Sequence, residues 1–290
     1  STTLPLLQWI ANITSFLFST NFYLIIIYIP FCYIWNMFEF DLFSWHYPLL
    51  ILTGFIAGFI NTMAGGGSLL TLPLLIFMGL PPAVANGTNR IAIFMSAFSA
   101  TAGFKSKGVS NYPFNAYLGF AGLLGALIGA QIAIDIEGDL FNKILAIIMI
   151  VVVFLIVFKP NIDYKNLSER LNGKYLFISM IAFFFIGIYG GFINAGIGFV
   201  IMLFLHYYNR LDLVKVNATK VVIVLIYTTG AIITFALADK INWTYGLFLA
   251  SGNFLGGWTS SRWSVKKGEK AIKFFLIVMV LLMSVKLWFF

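Results

Sequence analysis

The sequence predicts an all-α polytopic membrane protein. It contains two inverted-topology repeats, each a glycine-broken helical hairpin plus three transmembrane helices, with one extra N-terminal helix. Three observations carry this prediction. The chain of 290 residues is 61% hydrophobic and 10% charged, too little polar surface to coat a water-soluble domain. Apolar runs near or above the ~20 residues that cross a bilayer recur along its whole length. A short motif also occurs twice: "GFIN" at 58–61 returns at 191–194, each followed four residues on by a glycine, Gly65 and Gly198.

The first apolar run, 16–35, reads as a transmembrane helix within an N-terminal extension, 1–46. It lacks the basic lead-in and small-residue cleavage site of a secretory signal. Ordinary spans are expected at 84–104, 114–133, 141–158, 217–237, 243–261 and 271–289. Two further apolar regions, 47–79 and 175–207, are too long for one crossing at 1.5 Å per residue. Glycines interrupt both, with Gly65, Gly66 and Gly67 in the first and Gly196 and Gly198 in the second.

Loop charge decides between one long crossing and a bent pair. If each region is a hairpin that returns to the side it entered, the connections 105–113, 159–174, 208–216 and 262–273 share one side. They carry Lys105, Lys107, Lys159, Lys165, Arg170, Lys174, Arg210, Lys215, Arg262, Lys266, Lys267, Lys270 and Lys273. The other side receives Glu39, Asp41, Asp135, Glu137, Asp139 and Asp239, with only Lys143 and Lys240 as cations. That segregation is the positive-inside pattern, so the basic connections are cytoplasmic. A single crossing at 47–79 would scramble it.

The repeat continues past the hairpins. "NGTNR" at 86–90 aligns with "NATKV" at 217–221, and Asn111 and Tyr112 follow the first at the distance at which Asn242 and Trp243 follow the second. Gly125 and Gly256 also correspond. The first repeat is therefore expected over 47–158 and the second over 175–290, joined by a cytoplasmic linker at 159–174. The net charge of +8 belongs to loops between spans, so the expected partners are a lipid bilayer and a small solute, with no nucleic acid. The single cysteine, Cys32, excludes an internal disulfide and a Cys-rich metal site. Oligomeric state leaves no signature.

A helix break inside a bilayer frees backbone groups that protein, water or a ligand must satisfy. The run Gly65, Gly66, Gly67, Ser68 would end one half-helix and start another, whose N-terminal N–H groups favour an anion. Gly196 and Gly198 would do the same from the second repeat. Asn61 and Asn194, just before the breaks, are placed to cap freed backbone or to donate to a bound oxygen. Gly54 and Gly58, like Gly125 and Gly129, have the small-residue spacing of close helix packing. Arg90 and Lys220 lie within spans, where each either guides an anion or snorkels to the interface; Lys286, near a span end, snorkels. The acidic residues all fall in expected connections or at their edges, so no intramembrane carboxylate is expected to bind a cation or relay a proton. His46 and His206 lie near span ends. A small anion is thus favoured over a cation. An anion leaving a negative interior gains about 2.3 kcal/mol per charge per 100 mV, and export would need no coupling ion. No set of residues suggests an enzyme, a metal or a cofactor.

The stretch "GFIAGFINTMAGGGSLLTLPLLIFMGLPPAVANGTNRIA" resembles the first-half signature of the TauE/SafE family of sulfite exporters. "GIYGGFINAGIGFVIMLFL", "VNATKVV" and "DKINWTYGLFLASGNFLGGW" are similar to its second half, and the resemblance covers about 47–290. It implies movement of sulfite or an organosulfonate such as sulfoacetate across a bacterial inner membrane. The matching positions make Asn61, Gly65, Gly66, Gly67, Ser68, Asn86, Thr88, Asn89, Arg90, Asn194, Gly196, Gly198, Asn217, Thr219 and Lys220 the candidate substrate-binding residues. The expectation is alternating access, with an anion channel of the same architecture or a membrane assembly factor as the competing readings.

Overall fold

A computed structural model of the chain describes residues 45–157 and 168–289, and within them the regular structure is nine α-helices and no strand. In order these are α1 His46–Met63, α2 Ser68–Phe77, α3 Pro82–Lys105, α4 Phe114–Asp135, α5 Gly138–Val157, α6 Lys174–Phe192, α7 Ile197–Tyr207, α8 Leu213–Leu237 and α9 Trp243–Phe289. The chain divides into Ser1–Phe43 and Ser44–Phe290. The helix expected at 16–35 and Cys32 fall in the first unit, outside the described residues.

Four helices, α1, α4, α6 and α8, are long and apolar enough to cross a membrane. Helix α3 is long enough, but polar residues interrupt its apolar character, and they face inward: Asn86, Thr88, Asn89, Arg90, Ser96 and Ser99 are all buried, while Phe98 is half exposed. A helix with its polar side in the core suits a lipid solvent that rewards apolar exposure. Pro82 opens α3 at a position whose N–H has no helical acceptor in any case. Helix α8 starts at Leu213, four residues before the expected boundary, because the Asp212 carboxylate accepts from the N–H groups of Val214 and Lys215 and caps it.

Both glycine-broken regions fold back on themselves. Gly67, at the start of α2, sits against the Ala57 carbonyl and the Asn61 Cβ, so α2 begins alongside the preceding helix. In the second region the Ile197 side chain returns to Gly190. One expectation fails. Instead of two helices at 243–261 and 271–289, α9 runs unbroken for 47 residues, about 70 Å at 1.5 Å per residue. The only strong breaker between 262 and 270 is Gly268, and Arg262, Lys266, Lys267, Glu269 and Lys270 are good helix formers. Their charge predicts a loop, but their propensity continues the helix.

Small residues set the packing, and their neighbours fix helix direction. Gly125 lies against Phe184 and Ile188, and Gly129 against Ile188 and Phe192, so α4 and α6 run parallel. Gly252 lies against Ile51, and Gly256 against Phe55 and Phe59, so α9 and α1 also run parallel. By the same reasoning α3 is parallel to α9, with Gly246 near Ile91 and Gly103 near Ser261. Helix α4 is parallel to α8, with Gly119 near Ile226 and Gly230 near Leu127. Helices α3 and α8 are antiparallel: Ala100 and Phe104 cluster with Ala218 and Val221, while Arg90 lies over Phe235. Helices α1, α3 and the first part of α9 therefore run one way, and α4, α6 and α8 the other.

Candidate functional site

The two breaks meet. Gly65 and Gly196 have φ of +83° and +73°, a region that side-chain-bearing residues rarely adopt. A Cβ on Gly65 would overlap the Gly198 backbone, and one on Gly198 would overlap Gly65. Gly66 packs under the Phe199 ring. The N–H groups of Ala64 and Gly65 still bond the Ile60 carbonyl, and Leu69 and Leu70 bond Gly66 and Gly67. Among the described residues the N–H groups of Gly66, Gly67 and Ser68 have no acceptor. Across the contact, Ile193 bonds Tyr189 and Phe199 bonds Gly196, leaving the N–H groups from Asn194 to Gly198 likewise without one.

The carbonyl ends of the broken helices are capped crosswise. At the end of α6, Arg90 from the first repeat donates from one terminal nitrogen to the Gly190 carbonyl and from the other to Gly191 (2.8 Å), and its neighbour Asn86 donates to Phe192 (2.7 Å). At the end of α1, Lys220 from the second repeat donates to the Asn61 and Thr62 carbonyls (3.1 and 2.9 Å), and Asn217 donates to Met63 (3.3 Å). Each asparagine oxygen accepts in turn from its own repeat's cation, at 3.1 Å for Arg90 and 2.8 Å for Lys220. A positive charge at a helix C-terminus answers both the orphan carbonyls and the helix dipole. The two threonines cross in the same way. Thr88 accepts from the Asn242 N–H (2.9 Å), and Thr219 from the Asn111 side chain (2.7 Å).

A small cavity of about 10 Å³ lies between the tips, with room for about one water. It is lined by Asn61, Thr62, Ser96, Ala97, Asn194, Ile197, Gly198, Lys220, Val221 and Val224. Lys220 is therefore the cation at the cavity. Arg90 is fully buried, held by three carbonyls and by the Phe235 ring 5.6 Å away, with its Nε unpartnered. No Asp or Glu is buried among the described residues. Arg90 and Lys220 thus lean on carbonyl dipoles, with the Phe235 ring beside Arg90 and the Met202 sulfur beside Lys220, and neither snorkels to an interface.

Of the candidate residues, Asn61, Asn194, Gly198 and Lys220 line the cavity. Gly65, Gly66, Gly67, Ser68 and Gly196 form the touching breaks, with the Ser68 hydroxyl accepting from Asn194 at 3.3 Å. Asn86, Arg90 and Asn217 hold the helix ends, and Thr88 and Thr219 pin the starts of α9 and α4. Asn89 accepts from Thr71 at 2.7 Å and leaves its own amide N–H₂ buried and unpartnered. Sequence reasoning did not pick out Thr62, Ser96 or Tyr227, whose hydroxyl donates to Asn194 at 2.6 Å. Their signal is helical spacing: Asn217, Lys220, Val224 and Tyr227 share one face of α8, as Asn86, Arg90, Ile93 and Ser96 share one face of α3.

The family model for the sulfite exporter TauE/SafE matches residues 50–287. A probable membrane transporter protein of Haemophilus influenzae is 28% identical over 239 residues, covering 82% of this chain and 93% of that protein. A probable membrane transporter protein, ORF9, of a Sinorhizobium species is 28% identical, covering 82% and 90%. The probable membrane transporter protein YfcA of Escherichia coli K12 is 29% identical over 243 residues, covering 82% and 88%. No solved structure matches.

Proposed function

The chain belongs to the sulfite exporter TauE/SafE family of membrane transporters, and from that premise we propose that it moves a small oxyanion, sulfite or an organosulfonate such as sulfoacetate, out of the cytoplasm by alternating access. The observation that carries the reading is Lys220. Its ammonium lies in a cavity walled by both breaks, with no carboxylate buried anywhere among the described residues. A buried charge is costly unless paired, and an anion seated between the tips is the partner that this cation lacks. The unbonded N–H groups at 66–68 and 194–198 add donors from two half-helix N-termini. Asn61 and Asn194 complete the site, while Arg90, Asn86 and Asn217 hold the walls in place.

Helix directions support an inverted repeat. Helices α1 and α6, α3 and α8, and α4 and α9 correspond in sequence, and each pair falls in opposite directional sets. Rocking one repeat against the other about the touching tips would expose the cavity to each side in turn. A cavity with room for about one water suits the closed state of a carrier and disfavours a standing pore. The segregated loop charges support basic connections on the cytoplasmic side of a bacterial inner membrane, where the membrane potential would drive an anion outward without a coupling ion. Proteoliposome flux with labelled sulfite, sulfate and taurine is the test. Saturable sulfite flux with counterflow is expected, and absence of flux for all three contradicts the reading.

A further inference from the structure

The repeats differ where their cavity faces differ. Ser96 in α3 and Tyr227 in α8 are equivalent positions, counted from Asn86 and Asn217. Ser96 lines the cavity, whereas Tyr227 is fully buried and its hydroxyl donates to the Asn194 side-chain oxygen at 2.6 Å. Asn194 then donates from its amide nitrogen to the Ser68 hydroxyl at 3.3 Å. These bonds form one directional line from α8, across the second break, to the first residue of α2.

We propose that Tyr227 is a positioning residue that locks the Asn194 amide with its N–H₂ group toward the tips, making that wall of the site a donor and so selective for anions. The inference rests on the proposed anion site and deepens it. An asparagine amide has two faces of opposite character, a carbonyl that repels an anion and an N–H₂ that binds one. Asn194 lines the cavity, so its orientation sets the sign of the wall. The phenol fixes that orientation because a buried O–H must donate, and the Asn194 oxygen, at 2.6 Å, is the acceptor it meets across the break. A flipped amide would take this 2.6 Å acceptor from the Tyr227 proton and turn the carbonyl toward Ser68. In the present orientation Ser68 accepts from Asn194, so its own proton is free to donate.

Labelled sulfite flux in proteoliposomes, measured as KM and maximal rate, tests this with Tyr227→Phe, Asn194→Ala, Ser68→Ala and the double variant Tyr227→Phe/Asn194→Ala. Tyr227→Phe keeps the ring and removes only the hydroxyl. It is expected to raise KM on the order of fivefold, the worth of one hydrogen bond, with the maximal rate and melting temperature near wild type. The double variant is expected to match Asn194→Ala alone, because the phenol acts through the amide. Ser68→Ala, at the other end of the line, is expected to raise KM as well, and it provides the readout should Tyr227→Phe fail to fold. An unchanged KM in Tyr227→Phe, or a KM effect that simply multiplies with that of Asn194→Ala, overturns the inference while leaving the anion site standing. Wild-type protein without flux of sulfite, sulfate or taurine overturns both.

Discussion

Lys220 and Arg90 do not behave as surface-seeking cations. Both are buried, and each binds carbonyls distant in sequence, Arg90 at 190–192 and Lys220 at 61–62. Their sequence distance from those partners hides the role. The sequence shows a cation within a span, but not the helix end that it meets more than a hundred residues away. Their inequivalence is likewise structural. Both terminal nitrogens of Arg90 are engaged and work as a clamp, whereas Lys220, bonded to the Asn61 and Thr62 carbonyls and the Asn217 oxygen, also lines the cavity. Gly198 carries the sharpest single-residue prediction. A Cβ there meets the Gly65 backbone, which cannot move aside as a flexible side chain would. Gly198→Ala is expected to destabilise the protein by about 1–3 kcal/mol, as overpacking does, and to abolish flux. Gly138→Ala, whose added Cβ would meet only the Pro82 ring at ordinary van der Waals distance, is expected to melt near wild type. A melting-temperature comparison in detergent checks the pair.

At the scale of the element, the hairpins are legible because a glycine run interrupts each, and α3 and α4 because each is one apolar run of spanning length, whereas the start of α8 lies four residues earlier than its apolar run because the Asp212 cap extends it. Helix α9 was misread for an equally local reason. A charged segment between two apolar runs looks like a loop until its helix propensity is weighed, and with Gly268 as the only strong breaker it continues as helix. The candidate site was half legible. Asparagines and glycines at the breaks stand out against an apolar background, whereas Ser96 and Tyr227 do so only once α3 and α8 are treated as helices with one inward face. The small residues act as element-scale spacers. Gly129 lets α4 lie directly on the backbone of α6 at Ile188 and Phe192, where van der Waals packing is the main attraction available in lipid. Gly129→Leu is expected to push α4 off α6, lowering the melting temperature and sulfite flux together. A flux loss with an unchanged melt would contradict a packing role.

For the whole molecule, the repeated motif and the two directional sets of helices support the proposal of one architecture used twice, with residues of α3 capping the end of α6 and residues of α8 capping the end of α1. Such crossed capping couples the halves. A motion that opens one tip must strain the carbonyl contacts made by the other repeat's asparagine and cation, so both tips change together. Topology is testable without a ligand. In a Cys32→Ser background, Lys107→Cys and Glu137→Cys, in the connections on either side of α4, are expected to react with a membrane-impermeant thiol reagent from opposite faces of inner-membrane vesicles. Labelling of both from one face would contradict the inverted arrangement.

The central claim is that Lys220 supplies the charge for an oxyanion held between the two breaks. Labelled sulfite flux into proteoliposomes containing Lys220→Gln tests it most directly. The control is Lys215→Gln, on the same helix but exposed and ion-paired to Glu169 at 2.6 Å. The account predicts saturable flux in wild type and Lys215→Gln, and flux reduced at least tenfold in a Lys220→Gln protein that still folds. Undiminished sulfite flux in Lys220→Gln would contradict it.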